Sequence, residues 1–202
     1  METQSNKMKN ELRDPENVAT DIWVSPLYTG RPMDTSGRQA KEIAVYDLLD
    51  KLDIRYERVD HEVTPSIESC HSVDEKLGMH ICKNLFLCNR QKTDFYLLLM
   101  PGDKAFRTKD LSKQIGSARL SFADAEHMEQ YLNILPGAVS IMGLMNDTEC
   151  HVRLLMDREV AEAEYIGFHP CVNTASLKAR TKDIIDKFLP AVGHEMTIVE
   201  LV

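Results

Sequence analysis

Two short apolar runs on either side of a polar turn constrain this chain most. Asn84-Leu-Phe-Leu-Cys88 and Phe95-Tyr-Leu-Leu-Leu-Met100 carry almost no polar side chain, and Asn89-Arg-Gln-Lys-Thr-Asp94 lies between them. A strand with one wet face alternates apolar and polar residues, whereas a run that is apolar at every position has both faces buried. The segment therefore reads as a β-hairpin inside the fold, with a layer of structure packed on each side.

The remaining elements arrange themselves around that hairpin. Ala40, Ile43, Ala44, Tyr46, Leu48 and Leu49 recur at helical spacing and predict a helix over 38–52. Residues 54–59 alternate and predict a strand. Helices are predicted over 66–77, 108–115, 123–132 and 181–189. Strands are predicted over 139–144, 152–156, 165–168, 175–178 and 196–201. Strands come in runs with helices between them and without regular βαβ alternation, so the fold class is α+β, with a mixed, largely antiparallel sheet and surrounding helices. Residues 1–36 are polar and broken by Pro15, Pro26, Pro32 and Gly30. They read as an N-terminal extension whose apolar cluster, Ile22, Trp23, Val24, Leu27 and Tyr28, docks on the domain or on a partner. Residues 37–202 form the domain itself.

Composition narrows the function. No apolar run approaches the roughly 20 residues that span a bilayer, and the N-terminus lacks the apolar stretch of a secretory signal, so a cytoplasmic protein without a membrane partner is expected. Five cysteines, an odd number without a C-x-x-C, argue against a disulfide framework and against a four-ligand zinc site. Neither a metal nor a cofactor is expected. A net charge of −8 argues against nonspecific coating of DNA or RNA, yet leaves room for a local basic patch. Nucleotide-binding, zinc-protease and esterase motifs are absent.

Four constellations remain. Lys83 stands at the entrance of the first apolar run, beside Asn84. Pro136-Gly137-Ala138-Val139-Ser140 continues to Gly143, with glycines that let backbone approach a ligand and offer N–H donors to an oxyanion. Gly167-Phe-His169-Pro170-Cys-Val-Asn173-Thr174 places a histidine and an asparagine in an extended or turn segment. Lys104 and Arg107 form one basic cluster and Lys178 and Arg180 another; they make a nucleic-acid patch if the two faces adjoin. Each has an ordinary structural reading as well: a snorkelling lysine, a tight turn, a turn histidine, solvated helix faces. A Cys–His nucleophilic pair is left open by the pattern.

Taken in order over residues 38–201, these segments resemble the YbaK/ProX family of trans-editing aminoacyl-tRNA deacylases. The matching stretches include Cys70-His-Ser-Val-Asp-Glu75, Lys83-Asn84, Ala118-Arg-Leu-Ser-Phe122, Pro136-Gly-Ala-Val-Ser140 and Phe168-His-Pro-Cys-Val-Asn-Thr174. The resemblance is strongest to the ProX branch, which is similar to the editing domain inserted in bacterial prolyl-tRNA synthetases. It implies hydrolysis of mischarged tRNA, alanine on tRNA(Pro) in the first instance, with prolyl-tRNA synthetase as a further partner. It assigns Lys83 and His169 to catalysis, Lys83 by holding the phosphate region of the terminal adenosine. Asn84, Gly137, Ala138, Val139, Ser140, Gly143 and Asn173 go to substrate binding. The family's loop usually has proline after Ser140, where this chain has Ile141. Two other readings stay open: a deacylase for cysteinyl or seryl groups, and a tRNA- or synthetase-binding module of the same fold without turnover.

Overall fold

The computed structural model describes residues 22–63 and 71–201. Its elements run β1 (Tyr28–Thr29), α1 (Ala40–Lys51), β2 (Tyr56–Asp60), α2 (His71–Leu77), β3 (Lys83–Asn89), β4 (Phe95–Met100), α3 (Thr108–Gln114), β5 (Leu120–Phe122) and α4 (Ala125–Leu132). A 3-10 helix (Ile141–Asn146) leads to β6 (Val152–Asp157), α5 (Arg158–Glu162), β7 (Tyr165–Phe168) and β8 (Ala175–Arg180). A helical stretch follows, α6 (Thr181–Asp183), a π turn (Ile184–Phe188) and α7 (Leu189–Val192), and β9 (Met196–Val199) closes the chain. The N-terminal part of the predicted helix over 66–77, and Cys70, lie outside the described residues.

The strands form two sheets. One is antiparallel throughout, in the order β1-β2-β8-β7. The other is mixed, in the order β5-β3-β4-β6-β9, with antiparallel β5-β3-β4 and parallel β4-β6-β9. The fold is α+β as the sequence pattern implies.

The hairpin lies at the centre of the mixed sheet, and its two faces feed two cores. Phe95, Leu97 and Leu99 pack between the sheets with Phe86, Tyr46, Leu154, Met156, Ile166, Phe168 and Leu177. Tyr96, Leu98 and Met100 point the other way, to Leu87, Leu111, Leu120, Leu155 and Val199. The period of two along β4 thus serves two apolar layers, and truncating Leu98 to alanine is expected to cost about 2–5 kcal/mol.

Four elements differ from the sequence reading. Residues 139–144 are not a strand: Ile141–Asn146 is a 3-10 helix whose N-cap, Ser140, accepts a hydrogen bond from the Met142 N–H at 3.2 Å. Its apolar residues are buried all round, so the run carries no alternation from which strand and helix could be told apart. The short strands β1 and β5 and the five-residue α5 were not expected. Each is defined by its partners more than by propensity. Residues 22–30, within the predicted extension, add β1 to the antiparallel sheet, and the Ser25 N–H donates to the Asp60 carbonyl at 2.8 Å.

Candidate active site

Three segments converge beside the antiparallel sheet. The first is the approach to β3. Gly102 and Gly167 both crowd Ile81: a Cβ on Gly102 would lie 3.3 Å from the Ile81 carbonyl oxygen, and one on Gly167 would lie 3.1 Å from Ile81 Cγ1. This close crossing packs the chain two residues before Lys83 against the chain two residues before His169. Lys83 is half-buried and has no carboxylate partner among the described residues. Asn84 donates its amide to the Cys82 carbonyl at 3.1 Å, while its Oδ1 is buried without a hydrogen-bond partner among the described residues. A buried acceptor left unpaired costs about 1–3 kcal/mol.

The second segment is the glycine loop. Gly137 has φ +93°, a backbone state that side chains rarely adopt, and a Cβ there would meet Asn173 Nδ2 at 3.4 Å. Ser140 is fully buried and its hydroxyl donates to the His169 carbonyl at 2.5 Å. The loop is thereby fixed to the third segment, residues 169–174, at both of its ends. The Ala138 N–H is tied to the Leu135 carbonyl at 3.1 Å. An oxyanion donor from this loop would therefore come from Gly137, Val139 or Ser140. Gly143 sits elsewhere. A Cβ on it would stand 2.7 Å from Ile134 Cδ1 and 2.9 Å from Leu132 Cβ, so its role is close packing inside the 3-10 helix. Ile141 is wholly buried in the core as that helix's first residue. Proline is at home there, because its missing N–H has no helical partner to lose. The exchange with isoleucine is thus a matter of helix start and core packing.

His169 is held by a polar chain that crosses the sheet. Its Nδ1 lies 2.9 Å from the Ala175 carbonyl and 3.2 Å from Ser176 Oγ. Ser176 Oγ lies 2.9 Å from His61 Nε2, and His61 Nδ1 lies 2.8 Å from the Glu62 carbonyl. Carbonyls only accept, so both Nδ1 atoms carry protons, and Ser176 donates to His61 while accepting from His169. His169 is fixed as the tautomer with Nε2 as its acceptor. Burial, reinforced by the nearby His61 ring, pushes the His169 pKa down to about 4, and burial lowers that of His61. Both rings are neutral at pH 7. His61 and Ser176 escape sequence reasoning because they stand 115 residues apart.

Burial also pushes the thiols of Cys82 and Cys171 up to about 11 and about 12. The two thiols near His169 are thus protonated and poor nucleophiles, which removes the Cys–His reading at this site.

The basic residues fare unequally. Lys104 Nζ binds the wholly buried Asp157 at 3.0 Å and Glu159 at 2.7 Å. Lys178 donates to the Leu77 carbonyl at 2.9 Å, pairs with Glu57 at 3.2 Å and stands over the Tyr165 ring. Both are largely committed to holding the fold together. Arg180 is exposed but borders a groove with Glu162, Glu164, Asp183 and Asp186. Arg107 is exposed at the start of α3.

Residues 61–187, which contain all three converging segments, match the aminoacyl-tRNA editing domain. The chain belongs to that family. Membership makes it an aminoacyl-tRNA deacylase, and so an enzyme whose substrate is a tRNA ester. It is 31% identical over 169 residues to the prolyl-tRNA editing protein ProX of Acetoanaerobium sticklandii, covering 84% of this chain and 100% of that protein. It is 32% identical over 156 residues to prolyl-tRNA synthetase associated domain-containing protein 1 of Mus musculus, covering 75% of this chain and 90% of that one. A crystal structure described as a candidate trans-editing enzyme for prolyl tRNA synthetase shares the fold at a TM-score of 0.59 and 15% identity, over 81% of this chain and 97% of its own. Among the described residues no helix is long and apolar enough to cross a membrane.

Proposed function

We propose that this editing enzyme acts in trans on Ala-tRNA(Pro), releasing alanine and free tRNA, alongside prolyl-tRNA synthetase. What supports the reading is a glycine loop tied to a tautomerically fixed histidine, with a cation and a buried acceptor that lack partners among the described residues on the adjoining strand. Lys83 offers its ammonium to the phosphate next to the terminal adenosine. The buried Asn84 Oδ1 accepts from the ammonium group of the esterified amino acid, which gives it the partner it lacks in the free protein. His169 Nε2 accepts a hydrogen bond from the attacking water or from a ribose hydroxyl. With a pKa near 4 it is a weak base, so its contribution is orientation more than proton abstraction.

The chemistry is modest because the substrate is an activated ester. Water adds to the carbonyl carbon and charge develops on the carbonyl oxygen, where backbone N–H groups of the glycine loop stabilise it. The bond from carbon to the ribose oxygen then breaks, the ribose oxygen takes up a proton, and the amino acid leaves as a carboxylate.

Selectivity follows from room. Asn173 stands close against Gly137, and Ser140 draws the loop onto residue 169, so the loop's small residues leave space for a methyl group. A proline ring would have to push this packed wall aside at about 1–3 kcal/mol or more, whereas attraction alone discriminates one methylene by about 1–3 kcal/mol. Cleavage of alanyl-, seryl-, cysteinyl- and prolyl-tRNA measured side by side tests this. Alanyl is expected to be fastest. Equal alanyl and prolyl rates would refute size exclusion, a cysteinyl preference would change the substrate, and binding without turnover of any ester would make the protein a module that only holds tRNA.

A further inference from the structure

We infer that the cleft between β5 and the start of α3 is the docking surface for the acceptor arm of the tRNA, through Arg90, Arg119 and Phe122. The inference rests on the editing reading above and extends it to a surface away from the ester.

The cleft is lined by Arg90, Thr108, Arg119, Leu120, Ser121 and Phe122. In the β3-β5 ladder Leu87 faces Phe122, Cys88 faces Ser121 and Asn89 faces Leu120. Arg90 follows Asn89 and Arg119 precedes Leu120, the last pair of that ladder, and both line the cleft. Like charges gathered in one cleft repel. Proteins normally relieve this with a nearby carboxylate, and none of the lining residues is acidic. The acids around the adjoining turn have other partners: Asp94 binds Arg153 at 2.8 Å, and Asp124 binds Lys92 at 2.5 Å. Among the described residues neither Arg90 nor Arg119 has an ion pair. On a protein of net charge −8, two arginines in one cleft without an acid call for an anion from outside.

The aromatic residue decides which anion. Phe122 is 63% exposed on a three-residue edge strand, with its ring edge-on to Phe106 at 6.3 Å. A cleft lined by two arginines, an exposed phenylalanine, Thr108 and Ser121 suits RNA: phosphates for the arginines, a base or ribose face for the ring. The Phe106 contact also brings the segment ending at exposed Arg107 to the rim. The groove at Arg180 is the counterexample, since four carboxylates line it with Arg180 and Lys182.

Position supports the same partner. Lys83 and Arg90 stand at opposite ends of β3, about 23 Å apart at strand rise. A stacked strand advances about 3.4 Å per nucleotide, so the cleft meets the tRNA roughly seven nucleotides from the 3′ end, within the acceptor stem.

The test uses the full chain, tRNA(Pro), an acceptor-stem minihelix and 3′-alanyladenosine. Charge reversal in R90E/R119E, and neutralisation in R90Q/R119Q, should raise KM for alanyl-tRNA and the alanyl minihelix about tenfold or more. Charge reversal should also flatten the logarithmic salt dependence of tRNA binding by about two units. Turnover of 3′-alanyladenosine should stay at the parent level, and F122A should weaken binding without changing the salt slope. Parent-like KM and salt slope in the folded double variants would overturn the inference while leaving the editing reading intact. Loss of 3′-alanyladenosine turnover in those variants would also overturn it, by making the arginines part of the site. Binding of polyglutamate at the cleft with tRNA binding unaffected would assign the surface to an acidic protein instead. If the parent cleaves neither alanyl-tRNA nor 3′-alanyladenosine, the editing reading itself fails.

Discussion

Lys83 and Lys104 lie on either side of the same backbone position. Lys83 faces Met100 across the hairpin, and Lys104 follows four residues after it, in a turn closed by its N–H on the Pro101 carbonyl at 3.3 Å. Sequence assigns both to the substrate's phosphates. In the fold one has no carboxylate partner among the described residues, and the other is clamped between Asp157 and Glu159. Asp157 explains the difference. Wholly buried, it caps α5 through the Glu159 N–H and accepts the Leu201 N–H, and its charge needs a cation at hand. A lysine beside a structural acid is part of the scaffold; a lysine beside a buried unpaired amide oxygen is available to a ligand.

The largest effect that could break this comparison is catalytic. Lys83→Ala should lower deacylation roughly 100-fold or more with an unchanged unfolding midpoint, as expected when a charge aimed at the substrate is removed. Unchanged turnover in the folded variant would put Lys83 in the scaffold with Lys104. Lys104→Ala should do the reverse, lowering the unfolding free energy by about 2 kcal/mol while the folded fraction cleaves alanyl-tRNA at nearly the parent rate. Activity lost without stability would return Lys104 to the site.

Ser176→Ala is a smaller perturbation. It removes the bridge between the two rings and loosens the orientation of His169, whose tautomer the Ala175 carbonyl still fixes, so kcat should fall roughly tenfold with KM little changed, while Ser176→Thr should restore it. An unchanged kcat would make the polar chain purely structural. Smaller again is the pH response of stability. His61 and His169 have folded pKa values below that of an unfolded histidine, so the unfolded chain binds protons first as pH drops. The stability contributed by the neutral rings is full above about pH 6.5, the ordinary histidine value, and is lost progressively toward pH 4. A loss on the order of 1 kcal/mol between pH 6.5 and 5 is expected. His61→Gln should show a shallower slope in chemical denaturation followed across pH; an identical slope would remove His61 from the account. The smallest expected effect is none: chelation should leave deacylation unaltered, because among the described residues no three His, Cys, Asp or Glu side chains cluster as metal ligands. Activity lost to a chelator and regained with zinc would contradict that.

What could be read from sequence divides by the range of the interactions involved. The hairpin was legible because burial on both faces leaves an apolar residue at every position of Phe95–Met100. Helix α1 was legible from its period, and the site loops from glycines and from the family's motifs. Residues 139–144 misled because Ser140 turns the chain and Gly143 lets it press on Leu132, and neither feature alters the apolar pattern. The commitment of Lys104 to Asp157 spans 53 residues, and the bond from His61 to Ser176 spans 115. Both arise from sheet pairing, which local spacing does not encode. The basic surface was placed one residue at a time, and only the pairing of β3 with β5 brings Arg90 and Arg119 to one cleft.

The two residues of β1 have a wider effect than their length suggests. Tyr28 and Thr29 pair with Arg58 and Glu57, Arg58 lies over the Tyr28 ring at 4.8 Å, and the Ser25 hydroxyl accepts the Asp60 N–H at 2.9 Å. Together they occupy the outer side of β2, whose inner side is paired along its length with β8. A protease cut after Thr29 would release this latch and leave a row of backbone donors and acceptors open to solvent. Such a row is a template for another strand. The clipped protein is therefore expected to pair strands through β2, an edge that the segment before α1 covers in the intact molecule.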